Sequence, residues 1–193
     1  MIKFLLIALA MLLPLEVLAI ETPQYEKLGA LGESMEIRHY PQFTIAATLV
    51  PRAGEKSDNP AFRRLAGYIF GDNASEEKIS MTAPVLMRAQ DEGDEEMVFF
   101  LPASIDSPPE PVDARVSIRQ EDMTVAVIRY KGSWNKTKYE KHLELLRQAL
   151  ADQGAWEVAG SPIWARYDPP FKPWFMRTNE VMIPVVRVMQ SAM

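Results

Sequence analysis

Cysteine is absent from this sequence and histidine is scarce, with His39 and His142 as the two examples. The lack of cysteine excludes disulfide bonds, a thiol nucleophile and the lipid-modified cysteine of a bacterial lipoprotein. The histidines lie too far apart for an H-E-x-x-H zinc motif, and the sequence has no G-x-S-x-G elbow or phosphate-binding glycine loop. This inventory favours a binding protein over an enzyme, although two carboxylates from distant strands could still meet in a cleft.

Positive charge is not in excess either. The 193 residues include 21 lysines and arginines against 26 aspartates and glutamates, which gives a formal net charge of −5 at pH 7. Proteins that bind DNA or RNA concentrate basic side chains on one face, because they must neutralise phosphates. We therefore expect no nucleic-acid partner.

The long hydrophobic run is confined to residues 1–19, "MIKFLLIALAMLLPLEVLA". Lys3 precedes an apolar stretch, and Val17 and Ala19 fit the small-residue positions before a signal-peptidase cleavage site. We predict a signal peptide over 1–19 and a periplasmic or secreted product, without stable membrane insertion after cleavage. An uncleaved anchor is the alternative. Residues 20–193 are long enough for one domain with its own core.

Residues 33–50 alternate between apolar and polar side chains, which predicts a half-buried strand bent at Pro41. One parity of this strand is expected to face one side: Met35, Ile37, His39, Phe43, Ile45, Ala47 and Leu49. A loop over "PRAGEKSDN" then leads to a helix predicted at about 60–70, with Asn59 as its N-cap and Gly71 at its end. Two strands, "KISMTAPVLMR" and "EMVFFLPAS", follow around an acidic turn.

The second half of the chain has a similar order of strand, helix and strands, with the second helix ending before Gly154. We predict an α+β fold: a distorted, largely antiparallel β-barrel of two β-α-β-β-type pseudo-repeats, flanked by two helices. Two packed α+β layers are the alternative.

Three segments carry a family resemblance. They are "EIRHY" at 36–40, "KISMTAPV" at 78–85 and "ARYDPPFKPWFMRTNEVMIPV" at 165–185. In this order and spacing the sequence resembles the SOUL haem-binding-protein family, from about Tyr25 to Val188. The resemblance implies a barrel of two repeats and reversible binding of haem or another tetrapyrrole.

The resemblance also implies site residues. His39 stands where some members have a histidine proposed as an axial iron ligand, so His39 is the candidate metal ligand. Lys172 stands where a related branch has a lysine that pairs with a haem propionate. That branch also uses basic residues on the first helix, where this chain offers Arg63 and Arg64.

A tetrapyrrole is a flat apolar plate, so apolar walls supply most of its affinity. We expect Met81 or Met87 to provide soft contacts or a thioether ligand. We expect one wall from the first helix, made of Phe62, Leu65, Tyr68 and Ile69. The proline-rich crossing at 168–180 is expected to pack its aromatic side chains over one end of the barrel: Phe171, Trp174 and Phe175.

The leading functional hypothesis is therefore a haem- or tetrapyrrole-binding protein of the cell envelope, serving transport, buffering or sequestration. A module that binds another planar apolar ligand is the first alternative. An enzyme that acts on tetrapyrroles is the second.

Overall fold

The computed structural model of the chain describes residues 20–50, 59–90 and 94–188. The expected signal peptide, most of the expected loop after residue 50 and part of the acidic turn lie outside these residues. The strands are β1 (Glu26–Ala30), β2 (Met35–Val50), β3 (Val85–Ala89), β4 (Glu95–Phe100), β5 (Ser117–Lys131), β6 (Trp156–Val158), β7 (Ile163–Arg166) and β8 (Thr178–Arg187). The helices are α1 (Asn59–Phe70) and α2 (Lys136–Gln153).

Six of the described strands form a closed antiparallel barrel in the order β2-β4-β3-β7-β8-β5. The ring closes because β2 is long enough to pair with both β4 and β5. β1 pairs with the first half of β2, and β6 pairs with the end of β8. The predicted α+β barrel with two flanking helices is confirmed.

Side chains fill the interior of the barrel, so the ring itself is a packed core. Almost no surface of this cluster reaches solvent, and its members come from every strand of the ring: Tyr40, Ile45, Ala47, Leu86, Val98, Phe100, Val125, Val127, Ile163, Ala165 and Met182. A ligand site must therefore lie elsewhere than in the middle of the barrel.

A buried ionic cluster borders this core. The Glu180 side chain has no exposure to solvent and accepts two hydrogen bonds from the Arg38 guanidinium, at 3.0 and 3.1 Å. Arg129 Nε and the Tyr167 hydroxyl also donate to Glu180, each at 2.6 Å. The carboxylate thus has four donors, which is how a buried charge is made tolerable.

A second ionic cluster joins three strands of the sheet. Arg88 of β3 donates to Glu96 of β4 at 2.8 Å and to both carboxylate oxygens of Glu121 on β5 at 2.7 and 2.9 Å. Arg119 of β5 contacts both of these glutamates as well. The cluster ties strands together that are not all direct neighbours in the ring.

The prediction that one parity of β2 faces one side is wrong. Between Tyr40 and Phe43 the register against β5 shifts by one residue, which is a β-bulge at the expected bend. Met35 and Ile37 therefore pack outside the barrel with α2, whereas Phe43 packs with the interior core.

Both helices end at the glycines that the sequence predicted. α1 ends before Gly71, at φ 122°, and α2 ends at Gly154, at φ 61°, whose N–H bonds to the Leu150 carbonyl at 3.3 Å. The strand predicted from residue 78 begins only at Val85, so the segment 78–84 is irregular. The predicted capping side chain of Asn59 lies outside what the structure describes.

Neither helix in the described ranges combines the length and apolarity needed to cross a bilayer. Within the same ranges, no group of three or more His, Cys, Asp or Glu side chains is arranged to hold a metal ion.

Candidate ligand-binding site

A cavity of about 620 Å³ lies outside the barrel, between α1 and residues 166–170. This volume suits a small organic ligand, since such sites commonly measure about 300–1,000 Å³. The lining is mainly apolar and aromatic: Ile20, Phe62, Phe70, Met81, Thr82, Ala83, Val85, Met97, Trp134, Arg166, Tyr167, Asp168, Pro169 and Pro170.

The wall on α1 comes from the edge of the helix and not from its buried stripe. Phe62 and Phe70 line the cavity and are 41% and 62% exposed. Leu65, Tyr68 and Ile69 do not line it, because they are buried against the outer face of the sheet. These three side chains cover the sheet in this structure, and their expected role as a ligand wall stays a prediction.

The floor is formed by the irregular segment before β3 and by the outer face of the sheet. Met81 and Met97 both line the cavity. Thr82 also lines the cavity, and its hydroxyl donates to the Phe100 carbonyl at 2.7 Å. Met87, the other methionine considered as a ligand, packs against the core under α1 and is not part of the lining.

The opposite wall carries the charge of the cavity. Among the described residues that line it, Arg166 is the only cation. Its guanidinium lies over the ring of Trp164 at 4.4 Å and over the ring of Trp134 at 5.2 Å. Contact with two aromatic faces helps to hold the planar guanidinium in place.

Tyr167 links the cavity to the interior of the barrel. Its side chain lines the cavity, and its hydroxyl donates to the buried Glu180 at 2.6 Å. Burial, followed by the negative charge of Glu180, raises the pKa of Tyr167 far above its ordinary value. The side chain is therefore a neutral phenol at physiological pH.

Lys172, which was expected to meet a propionate, forms an ion pair with Asp168. Its Nζ lies 2.5 Å from Asp168 Oδ1, and Asp168 Oδ2 also accepts the Thr178 N–H. Burial alone would raise the pKa of Asp168, but Lys172 and then Thr178 lower it below its ordinary value. Asp168 lines the cavity and Lys172 does not, so Lys172 is paired with the wall from outside the lining.

The two arginines of α1 do not reach the cavity. Arg63 is exposed and is not part of the lining. Arg64 donates to the Thr48 hydroxyl at 2.7 Å and lies 3.5 Å from Asp113, so it ties α1 to the end of β2. Their position on the helix, rather than their residue type, keeps both away from the cavity.

His39 lies in a different place. Its Nδ1 is 3.2 Å from the Thr124 hydroxyl and 3.7 Å from Asp122, and its side chain is 30% exposed. His39 does not line the cavity, so an iron ligand at His39 and a tetrapyrrole in the cavity describe two separate sites. The ligand role of His39 stays a prediction.

Sequence reasoning missed Phe70, Trp134 and Arg166. Trp164 and Arg166 share one parity of β7, which was a signal for a Trp-Arg face on that strand. The pattern could not show that Arg166 lines a cavity together with α1, because the two segments come near each other only in the folded barrel.

The comparisons with known proteins agree with this fold. A family model described as SOUL heme-binding protein matches residues 20–184. Heme-binding protein 2 of Homo sapiens is 30% identical over 179 residues, which covers 86% of each chain, and the Mus musculus protein of that name is 29% identical over the same length.

Solved structures show the same architecture at low sequence identity. The C-terminal domain of EcmrR superposes with a TM-score of 0.61 at 11% identity, covering 85% of this chain and 99% of that one. An uncharacterized conserved protein from Listeria innocua gives a TM-score of 0.62 at 10% identity, covering 82% and 94%. These likenesses concern the fold alone. The family match, which spans nearly all described residues, shows that the chain belongs to the SOUL heme-binding protein family.

Proposed function

We propose that this protein binds haem, or a closely related tetrapyrrole, in the cavity between α1 and residues 166–170. The observation that carries the proposal is the combination of an apolar cavity of about 620 Å³ with one cation in its described lining, in a family named for haem binding. The relatives named Heme-binding protein 2 support the same ligand class.

The lining fits the two chemical parts of a haem. Phe62, Phe70 and the proline pair at 169–170 offer apolar contact to the porphyrin faces. Burial of such faces contributes about 25 cal/mol per Å² before the costs of ordering. Arg166 can meet a propionate, and a charge-assisted hydrogen bond in a partly dry wall is stronger than a pair on an open surface.

The cavity also contains residue types that bind haem iron. The thioethers of Met81 and Met97 line the floor, and methionine is an axial ligand in several haem proteins. Tyr167 is unsuited to this role, because its hydroxyl is bonded to Glu180 and its raised pKa disfavours the phenolate. Bound haem would supply only its own iron chemistry, and the protein residues would hold and orient it.

We further propose that the protein acts outside the cytoplasm, as a periplasmic or secreted carrier or buffer. Residues 1–19 support this location through their cation, apolar run and small residues before position 20. The mass of the purified protein tests whether residues 1–19 are removed, and a chain that keeps them would contradict cleavage.

Filling the cavity tests the proposed binding site. Met81→Trp puts a larger side chain into the floor, and we expect it to weaken haemin binding by about tenfold, because the porphyrin and the indole compete for the same space. Haemin titration followed at the Soret band measures the dissociation constant. Met81→Leu keeps the volume and removes the sulfur, so a shifted Soret band with similar affinity would identify Met81 as an iron ligand.

Leu145→Trp on the exposed side of α2 is the matched control and should bind as the wild type does. Circular dichroism checks that each variant is folded. Equal affinity of Met81→Trp and wild type would contradict this location. A wild-type protein that ignores haemin would favour another planar ligand. A bound haem that loses its Soret band with reductant and oxygen would point instead to an enzyme of tetrapyrrole breakdown.

A further inference from the structure

The proline-rich crossing between β7 and β8 does not pack as its sequence predicts. Instead of covering an end of the barrel, its large apolar side chains project into solvent. Phe171 is 87% exposed, Trp174 57%, Phe175 60% and Met176 50%. We call these four residues the aromatic tip. Exposed apolar side chains that lie this close together are typical of a surface that binds another molecule or a membrane.

Hydrogen bonds fix the backbone of the crossing, so its apolar side chains are exposed on an ordered loop. Arg177 Nε donates to the Lys172 carbonyl at 2.8 Å, and its guanidinium also contacts the Pro170 carbonyl. The Trp174–Met176 segment is a short 3-10 turn. The backbone is tied down on the barrel side while the side chains point away.

Cations surround the aromatic tip. Lys138 Nζ lies 5.6 Å from the Trp174 ring, and Lys131 Nζ lies 2.6 Å from the Thr178 hydroxyl and 3.5 Å from the Met176 carbonyl. Arg177 adds a third positive charge from a half-buried position, where its guanidinium is bonded to two backbone carbonyls and lies 4.5 Å from the Trp134 ring. The charge of Lys172 is offset by Asp168. The surface is thus apolar and locally positive on a protein whose net charge is −5.

This chemistry fits a bilayer surface that contains anionic phospholipids. Tryptophan and phenylalanine favour the boundary between headgroups and acyl chains, and lysine and arginine beside them meet the lipid phosphates. A second copy of this chain fits less well. In a twofold dimer the same patch faces itself, which would place Lys131, Lys138 and Arg177 opposite their own copies.

We infer that the aromatic tip and its flanking cations dock this protein on anionic membrane surfaces. The inference does not depend on haem. It would also place the cavity at the membrane, because Pro169 and Pro170 line the cavity and directly precede Phe171. An apolar ligand dissolved in the bilayer would then enter or leave without crossing water.

Co-sedimentation with vesicles tests the inference. The full chain, Phe171→Ser/Trp174→Ser and Lys138→Gln are each titrated with vesicles of phosphatidylglycerol and phosphatidylcholine, and with phosphatidylcholine alone. Any binding through residues 1–19 is common to all three proteins. We expect the double variant to lose about tenfold or more in affinity for the anionic vesicles, because the tip no longer inserts. Lys138→Gln should lose about fivefold on anionic vesicles and nothing on neutral ones.

Val112→Ser/Val158→Ser is the matched control, since Val112 and Val158 are 72% and 58% exposed in other parts of the fold. It should bind vesicles as the wild type does. Equal binding of wild type and the aromatic double variant overturns the inference. A dimer in sedimentation equilibrium that the aromatic double variant abolishes also overturns it, because a second copy would then be the occupant. Haemin affinity of the double variant is measured separately, so the two proposals can fail independently.

Discussion

Arg166 gives the cavity its positive charge, although family resemblance directs attention to Lys172. The difference lies in the neighbours of each side chain. Lys172 is bonded to Asp168 at 2.5 Å and does not line the cavity, whereas Arg166 lines it and contacts the Trp134 and Trp164 rings. A planar guanidinium matches the geometry of a carboxylate, so among the described lining residues Arg166 has the chemistry suited to a propionate.

Replacing this charge should weaken the binding of a ligand that carries carboxylates. We expect Arg166→Gln to bind haemin about tenfold more weakly, since a hydrogen bond to a charged group contributes about 1.5–3 kcal/mol. Haemin titration gives the change. The same variant should bind the dimethyl ester of haemin as well as the wild type does, because the ester has no propionate charge.

Arg63→Gln serves as the control, since Arg63 is exposed on α1 and does not line the cavity. Its affinity for haemin should equal that of the wild type. If Arg166→Gln weakens haemin and its ester equally, Arg166 supports the cavity wall and does not select carboxylates.

Strand β2 shows what a local sequence pattern can predict and what it cannot. Alternation predicted the strand, and Pro41 predicted its bend, but alternation could not show that a bulge changes the face of the strand. His39 therefore shares its side with Ile37 and not with Ile45. Helix ends were easier to predict, because Gly71 and Gly154 act through their own backbone angles. The cavity was harder, because its walls come from segments brought together only by ring closure.

The ionic cluster across β3, β4 and β5 should make stability depend on pH in the acid range. Burial raises the pKa of Glu121, but the hydrogen bonds and charge of Arg88, followed by Arg119, lower it below 4.5, its ordinary value. A carboxyl whose pKa is lower in the folded state adds stability above its unfolded pKa, and that stability is lost as pH falls through the folded pKa. We expect the free energy of unfolding to fall below about pH 4.5, with a smaller fall in Glu121→Gln. Urea titrations between pH 7 and pH 3 measure both.

Glu26→Gln is the control for this change, because Glu26 is exposed on β1. Its stability should follow the wild type at every pH. The same slope in Glu121→Gln as in the wild type would mean that Arg88 and Arg119 do not lower the pKa of Glu121 as described.

In the whole molecule, different parts provide stability and the candidate ligand site. The interior of the barrel is filled by its apolar core, and charged clusters that include Glu180 and Arg88 are satisfied within the protein. What remains for a ligand is the outer surface, where α1 and the crossing after β7 leave a cavity between them. In our proposal the barrel supports the cavity, and Phe62, Phe70 and Arg166 at its surface select the ligand.

The central claim is that haem occupies this outer cavity. A crystal structure of the haemin complex, with the iron located by anomalous diffraction, tests it most directly. Our account predicts iron between Phe62 of α1 and Arg166 of β7, with a propionate at the Arg166 guanidinium. Iron bound beside His39, or within the interior of the barrel, would contradict it.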